Sequence, residues 1–256
     1  MTGLLDSKVA IVTGAGGGIG EAIARAFSAE GARVAVADID GGAARRVAES
    51  IDGAIAVTAD VTDEQQVADL VARTVDELGG LHIVVPNAGI ASVAPLIETS
   101  FADWRRVMAV NLDGVFLTIR HSLPALIQSG GGSIVTISSI TATSGSPLIA
   151  SYAAAKAAVR SLTETLCTEL KSANIRVNAL LPGFIETALV DNQKAGFANA
   201  MSMDPAGFDQ IIAAKQTRYG TVGEVAAAAV FLASDQSAFC NGSSLVLDGG
   251  FCASLL

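Results

Sequence analysis

The sequence predicts an α/β fold in which one parallel sheet is covered by helices on both faces. Three observations carry that expectation. Apolar runs of strand length alternate with longer amphipathic stretches along all 256 residues. Several of these runs (VAIV from Val9, RVAVA from Arg33, IVTI from Ile134) are continuously apolar, the pattern of strands buried on both sides. No linker, repeat or low-complexity segment breaks the alternation, so residues 1–256 are expected to form a single doubly wound domain. Hydrophobic residues make up 51% and charged residues 16%, against about 25% charged in ordinary soluble proteins, which provides a large core and excludes disorder.

The elements follow in order. Strands are expected at Val9–Thr13, Arg33–Ala37, Ala54–Thr58, Leu81–Val85, Ser133–Ser138, Arg176–Leu181 and Ser244–Leu247, each a short apolar run. Helices are expected between them, near Ile19–Glu30, Gly42–Ile51, Asp63–Leu78, Phe101–Gln128, Ser151–Ala173 and Val222–Ala233. The rhythm fails between Gly183 and Tyr219, where helical signals are weak and Met201, Met203, Phe184, Phe197 and Phe208 gather. An excursion of that length in a tight α/β domain points to function, here a substrate lid around residues 184–218.

Charge and length exclude whole classes. A formal charge of −9 repels nucleic acid and anionic lipid. The longest apolar run, Val225 to Ala233, falls well short of the about 20 residues that span a membrane. No basic segment followed by a signal-peptide core opens the sequence, so a cytoplasmic location is expected. Cys167, Cys240 and Cys252 lack C-x-x-C spacing, and His82 and His121 lack neighbouring ligands; all five are read as structural, with no metal site.

The first strand runs into Thr13-Gly14-Ala15-Gly16-Gly17-Gly18-Ile19-Gly20, after which a helix begins. Glycines at a strand-to-helix turn admit a ligand close to the backbone, and the helix start offers free N–H groups to a pyrophosphate. Gly14, Gly18, Ile19 and Gly20 are therefore candidate cofactor contacts in a Rossmann-type fold. About 20 residues on, Asp38 ends the second strand, followed by Ile39. A carboxylate there accepts bonds from the adenosine ribose hydroxyls and repels a 2′-phosphate. No basic residue directly follows Asp38 and Gly17 precedes Gly18, so NAD is expected over NADP.

Tyr152 and Lys156 share one face of the helix SYAAAKAAVRSLTETL, about 6 Å apart along its axis. A neighbouring ammonium lowers the cost of ionising a phenol, whose ordinary pKa is about 10, and fits it for general acid/base work. Alone, Y-x-x-x-K is a common helical spacing. Its weight comes from Ser139, placed at the carboxyl end of the strand SIVTISS, where such sheets bind ligands. A nucleophilic serine is not indicated, because the G-x-S-x-G elbow is missing.

Together with Asn87-Ala88-Gly89, Asn111, Pro182-Gly183 and Asp248-Gly249-Gly250, these motifs resemble the short-chain dehydrogenase/reductase family in its compact form, over nearly the whole chain. The resemblance implies Tyr152 as acid/base, Lys156 lowering its pKa and bonding the nicotinamide ribose, Ser139 orienting the substrate oxygen and Asn111 serving a proton relay. It further implies that Asp60 and Val61 meet the adenine and that Asn87, Ala88 and Gly89 flank the cofactor. Pro182, Gly183, Ile185 and Thr187 would hold the carboxamide. Pro86 departs from the family, which commonly has a second asparagine there, so hydrogen bonding after the fourth strand is expected to differ.

The expected reaction is hydride transfer between NAD and a secondary alcohol or ketone. Pocket candidates Ile90, Ala91, Ser92, Ile140, Thr141, Leu148, Phe184 and Leu189 are apolar or small, implying a neutral, moderately hydrophobic substrate unless Lys194, Lys215 or Arg218 swings inward. A 3-oxoacyl-carrier-protein reductase using NADP is the main alternative, opposed by Asp38 and the acidic charge. A nucleotide-sugar epimerase lacks its glycine pattern here. A non-catalytic dinucleotide-binding scaffold would be expected to lose one of Asn111, Ser139, Tyr152 or Lys156. The alanine-rich Tyr152 helix is apolar on more than one side, and Phe251 to Leu256 is an apolar tail expected to be buried. With the resemblance, these features imply a homotetramer.

Overall fold

A computed structural model of the chain describes residues 3–253. Its strands are β1 Val9–Thr13, β2 Arg33–Asp38, β3 Ala54–Thr58, β4 Ile83–Val85, β5 Gly132–Ile137, β6 Ile175–Pro182 and β7 Ser244–Leu247. They form one seven-stranded sheet in the order β3-β2-β1-β4-β5-β6-β7, with every neighbouring pair parallel. The helices are α1 Gly18–Ala29, α2 Gly41–Ala48, α3 Glu64–Leu78, α4 Phe101–Met108, α5 Gly114–Gln128, α6 Ala150–Glu169, α7 Ala188–Ala200, α8 Pro205–Gln216 and α9 Val222–Ala233. The architecture is the doubly wound Rossmann-type fold that the continuous apolar strands require.

Alternate residues of one strand serve two cores. Ala10 and Val12 of β1 pack with Ile23 and Phe27 of α1, Val47 of α2 and Val225 and Ala229 of α9. Val9 and Ile11 pack on the other face with Leu70 of α3, Ile119 and Leu126 of α5 and Val159 of α6. A third cluster, Ile149, Phe197, Phe208 and Ile212, lies apart from both and anchors α7 and α8. Of the apolar tail, Phe251 is half-buried and Cys252 and Ala253 are exposed; 254–256 lie outside the described residues. Among the described residues, no helix is long and apolar enough to cross a membrane.

The strand order reverses between β1 and β4, which opens a crevice at their carboxyl ends. Pro86 stops β4 there, since proline has no N–H to continue the ladder. Thr13 takes over. Its Oγ1 accepts from Asn87 N at 3.0 Å and Ala88 N at 3.1 Å, while Asn87 Nδ2 donates to the carbonyls of Thr13 and Gly14 at 2.9 and 3.2 Å. One threonine thus ties the two strand ends that border the crevice.

Several elements differ from expectation. The second helix ends at Ala48 rather than Ile51, and the fourth strand begins at Ile83 rather than Leu81. The helix expected over Phe101–Gln128 is split by a π turn at Ala109–Asp113. Asn111 Nδ2 donates to Val107 O at 2.9 Å and Ile90 O at 2.8 Å, so its side chain competes for carbonyls with the backbone ladder. The helix expected to reach Ala173 stops at Glu169 and continues as a 3-10 turn over Lys171–Ala173. The excursion, weakly helical by sequence, folds as α7 and α8, capped by Thr187 and Asp204. Its two ends lie together: Ile185 pairs with Gly220 in a parallel bridge, Glu186 N donates to Gly220 O and Gly220 N to Phe184 O, both at 2.9 Å.

Thr13→Val should leave two amides without their acceptor and lower unfolding stability by about 1–3 kcal/mol, whereas Thr13→Ser should retain most of it. Urea midpoints measure this; equal midpoints for Thr13→Val and the unaltered protein would remove Thr13 from its assigned place.

Candidate active site

A cavity of about 610 Å3 runs along the carboxyl ends of the central strands. Gly14, Gly18, Ile19, Asp38, Ile39, Asp60, Val61, Asn87, Ala88, Gly89, Ser139, Tyr152, Lys156, Pro182, Gly183, Ile185 and Thr187 all line it. Two predicted residues stand behind the wall instead. Gly20 packs inside α1 against the Gly14 carbonyl, and Asn111 is fully buried beneath Gly89.

At one end the backbone is arranged for an anion. Gly17 caps α1 with no side-chain acceptor, so the first-turn N–H groups stay free beside the cavity. Gly14 adopts φ +62 and a Cβ there would come within 2.8 Å of Ala88 Cα, so only glycine allows this close passage. Asp38 braces the turn: Oδ2 accepts from Gly16 N at 2.8 Å and Oδ1 from Asp40 N at 3.0 Å. Arg46 donates to Gly16 O at 2.7 Å and pairs with Glu21 at 3.0 Å, so the cation nearest this loop is already engaged. The guanidinium of Arg46 holds the Glu21 carboxyl below its ordinary range. Free helix-start donors, a carboxylate at the end of β2 and the apolar flanks Ile39 and Val61 suit a dinucleotide with its pyrophosphate at α1.

At the other end three polar side chains converge. Ser139, after β5, has extended backbone, and its hydroxyl accepts from Thr141 N at 3.2 Å. Ser138 Oγ donates to Lys156 O at 2.8 Å, locking α6 to the end of β5. Lys156 is 3% exposed; its Nζ donates to Ile137 O at 2.7 Å and lies 5.6 Å from the Tyr152 ring centre. Burial lowers the amine to about 8. The phenol departs from expectation. Burial pushes Tyr152 up to about 12, the Ser139 hydroxyl pulls it back, and the lysine does not offset the loss of water. Asn111 Oδ1 is buried without a partner, and a Cβ on Gly89 would sit 2.8 Å from it and 3.7 Å from Lys156 Nζ. Amide oxygen and amine thus close on one glycine.

The excursion roofs the cavity with Ala188, Leu189, Val190, Gln193 and Phe197. None of its three cations points inward. Lys194 pairs with Asp209, Arg218 with Glu224 at 2.6 Å, and Lys215 lies over the Phe251 ring at 5.7 Å. Of the pocket candidates, Ile90, Ile140, Thr141, Phe184 and Leu189 line the cavity, whereas Ala91, Ser92 and Leu148 do not. Sequence reasoning missed Gln193, Ser144 and Phe251 as lining, and missed Gln216. The last is 2% exposed; its Oε1 accepts from Phe184 N at 3.0 Å and its Nε2 donates to Phe184 O at 2.7 Å. The glycine pair after Asp248, both residues at positive φ, was the available signal for the turn that brings Phe251 to the cavity.

The family described as enoyl-(acyl carrier protein) reductase matches residues 14–252. The chain is 42% identical over 252 residues, 96% of its length and 97% of the relative's, to cis-4-hydroxycyclohexanecarboxylate dehydrogenase of Sinomonas cyclohexanicum. Levodione reductase superposes with a TM-score of 0.92 at 31% identity, covering 98% of this chain and 99% of that one. A 3-ketoacyl-(acyl-carrier-protein) reductase from Brucella melitensis, complexed with NADH, gives 0.87 at 34% identity, covering 96% and 99%. With this fold and site, the chain belongs to the short-chain dehydrogenase/reductase family. It is an oxidoreductase of CH–OH groups that uses a nicotinamide dinucleotide.

The two shifted groups set opposite pH trends. With the folded amine at about 8 against an ordinary 10.5, the unfolded chain binds the extra proton between those values, so stability should rise with pH across that window. Tyr152, raised from 10.0 to about 12, acts the other way: its contribution is present below 10.0 and lost as pH climbs through about 12. Lys156→Met should flatten the rise in urea midpoint between pH 8 and 10, and an unchanged slope would count against the buried amine.

Proposed function

We propose that the protein is an NAD-dependent dehydrogenase that interconverts a neutral, moderately hydrophobic secondary alcohol and its ketone, with Tyr152 as acid/base. One observation carries the reading: the phenol, the Ser139 hydroxyl and the buried Lys156 amine meet at one end of a cavity whose carboxylates, Asp38 and Asp60, lie at the other, adenosine end. Bound there, the nicotinamide would accept a hydride from the carbinol carbon or return it to the carbonyl.

The chain supplies the rest. Ser139 holds the substrate oxygen beside the phenol, and Tyr152 takes the hydroxyl proton in oxidation or gives it in reduction. Lys156, fixed by Ile137 O, holds the nicotinamide ribose and, once protonated, favours the phenolate. Asn111, with its free Oδ1, joins the path by which the proton leaves the amine. Gly14, Gly18 and Ile19 hold the pyrophosphate; Gly20 permits their turn; Asp60 and Val61 flank the adenine; and Asn87, Ala88 and Gly89 line the cofactor's side. Pro182, Gly183, Ile185 and Thr187 hold the carboxamide. Asp38 supports NAD over NADP: its oxygens face the adenosine end, Ile39 follows, and Arg46 is committed to Glu21 and Gly16 O.

A second reading is reduction of a 3-oxoacyl thioester on a carrier protein with NADP; the Brucella relative's name supports the substrate class, whereas the NADH bound to it gives no support to NADP. The acidic charge and the pairing of Lys194 and Arg218 with carboxylates weigh against it, because both cations are already neutralised toward an acidic carrier. The substrate of the Sinomonas relative carries a carboxylate, for which the lining here has no cation besides Lys156. We further propose a homotetramer. Support comes from exposed Leu96, Ile97, Phe101 and Phe116 around α4 and α5, and from exposed Phe239 and Val246 at the β7 edge. The excursion acts as the substrate lid.

Tyr152→Phe should lower kcat by at least about 100-fold while NADH binding, read by nicotinamide fluorescence, changes little; retained turnover would overturn the assignment. Asp38→Ser should reduce the kcat/KM preference for NAD over NADP, while a preference for NADP in the unaltered enzyme would overturn the NAD reading. Acetoacetyl-thioester reduction exceeding every secondary alcohol would favour the second reading.

A further inference from the structure

We infer that Phe251, on the segment after β7, forms with Phe184 an aromatic jaw selecting an uncharged carbinol borne on, or next to, a compact ring. This rests on the dehydrogenase reading above and deepens it. Three of the chain's phenylalanines, Phe184, Phe197 and Phe251, line the cavity, and they come from β6's following loop, α7 and the segment after β7. Phe184 meets Phe251 at 5.5 Å with the rings tilted by 51°. Behind them Phe208 closes edge-on against Phe184 at 5.5 Å and stacks on Phe197 at 5.4 Å. The four rings make one continuous wall.

Both sides of the jaw are held. Asp248, 8% exposed, accepts from Gly250 N at 2.9 Å through Oδ1 and from Cys252 N at 2.8 Å through Oδ2, while Phe251 N donates to Asp248 O at 3.0 Å. Lys215 Nζ lies over the Phe251 ring at 5.7 Å. Opposite, the Phe184 backbone is gripped at both polar atoms by Gln216. These bonds fix where the Phe184 and Phe251 rings are rooted, so with the excursion closed over the cavity their position limits substrate size. Aromatic faces and edges at these angles suit the flat or puckered face of a ring. A carboxylate against their cavity side would lose its water and meet no lining cation besides Lys156.

The test measures kcat/KM with saturating NAD for 2-butanol, cyclohexanol, 4-tert-butylcyclohexanol and 4-hydroxycyclohexanecarboxylate, for the unaltered enzyme, Phe251→Ala and Phe251→Leu. The unaltered enzyme should prefer cyclohexanol over 2-butanol and over the carboxylate by about tenfold or more. Phe251→Ala should raise the ratio of the tert-butyl compound to cyclohexanol by about tenfold, with the KM for NAD unchanged, and Phe251→Leu should fall between. Should Phe251→Ala not fold, Phe251→Leu reports through the same ratio. Alcohol oxidation with that ratio unmoved in the folded variants, or a preference for the carboxylate, would overturn the jaw and leave the dehydrogenase reading standing. No oxidation of any secondary alcohol by the unaltered enzyme would instead defeat the dehydrogenase reading, and the jaw with it.

Discussion

Lys156 is an amine taken out of water and given one carbonyl, that of Ile137, in exchange. The arrangement around it answers the cost of that burial. Ser138 ties α6 to β5 so that the amine meets the carbonyl; the π turn brings Asn111 under Gly89; and the phenol lies one helical turn away. Burial makes the amine reluctant to keep a proton and the phenol reluctant to lose one, so each group by itself is held toward its neutral form. Catalysis at such a pair depends on charge that arrives with the ligands, on a scaffold that has already fixed the distances.

The same economy of charge operates at the adenosine end. A chain of net charge −9 is built to hold a polyanionic cofactor with backbone donors at the start of α1 rather than with basic side chains. Asp38 has two uses there. It fixes the turn through Gly16 N and offers its remaining lone pairs to the cavity. Replacing it therefore alters the shape of the glycine turn as well as the local potential.

Much of this was legible in the sequence because it is written in local pattern. Continuous apolar runs give doubly covered strands, a glycine run after a strand gives the anion turn, and a four-residue spacing puts Tyr152 and Lys156 on one face. What escaped depends on contacts between distant segments. No periodicity announces the π turn, since its cause is a bond from Asn111 to Ile90 O across the crevice. Thr13 reads as the last residue of an apolar strand, and only its approach to Asn87 and Ala88 makes it a strut. Gln216 and Phe251 lie outside every motif. A lowering of the Tyr152 pKa by the lysine was expected from proximity; the phenol is instead raised by desolvation, which depends on packing and not on spacing.

The excursion between Glu186 and Gly220 leaves and rejoins the body at one point, sealed by the Ile185–Gly220 bridge. Lengthening or shortening a segment whose ends are already pinned costs little, because closure entropy grows only with the logarithm of length. The sheet register and the tyrosine–lysine geometry are set elsewhere and need not respond. Such a graft point lets descendants of one gene diverge in what they accept while inheriting the same chemistry unaltered.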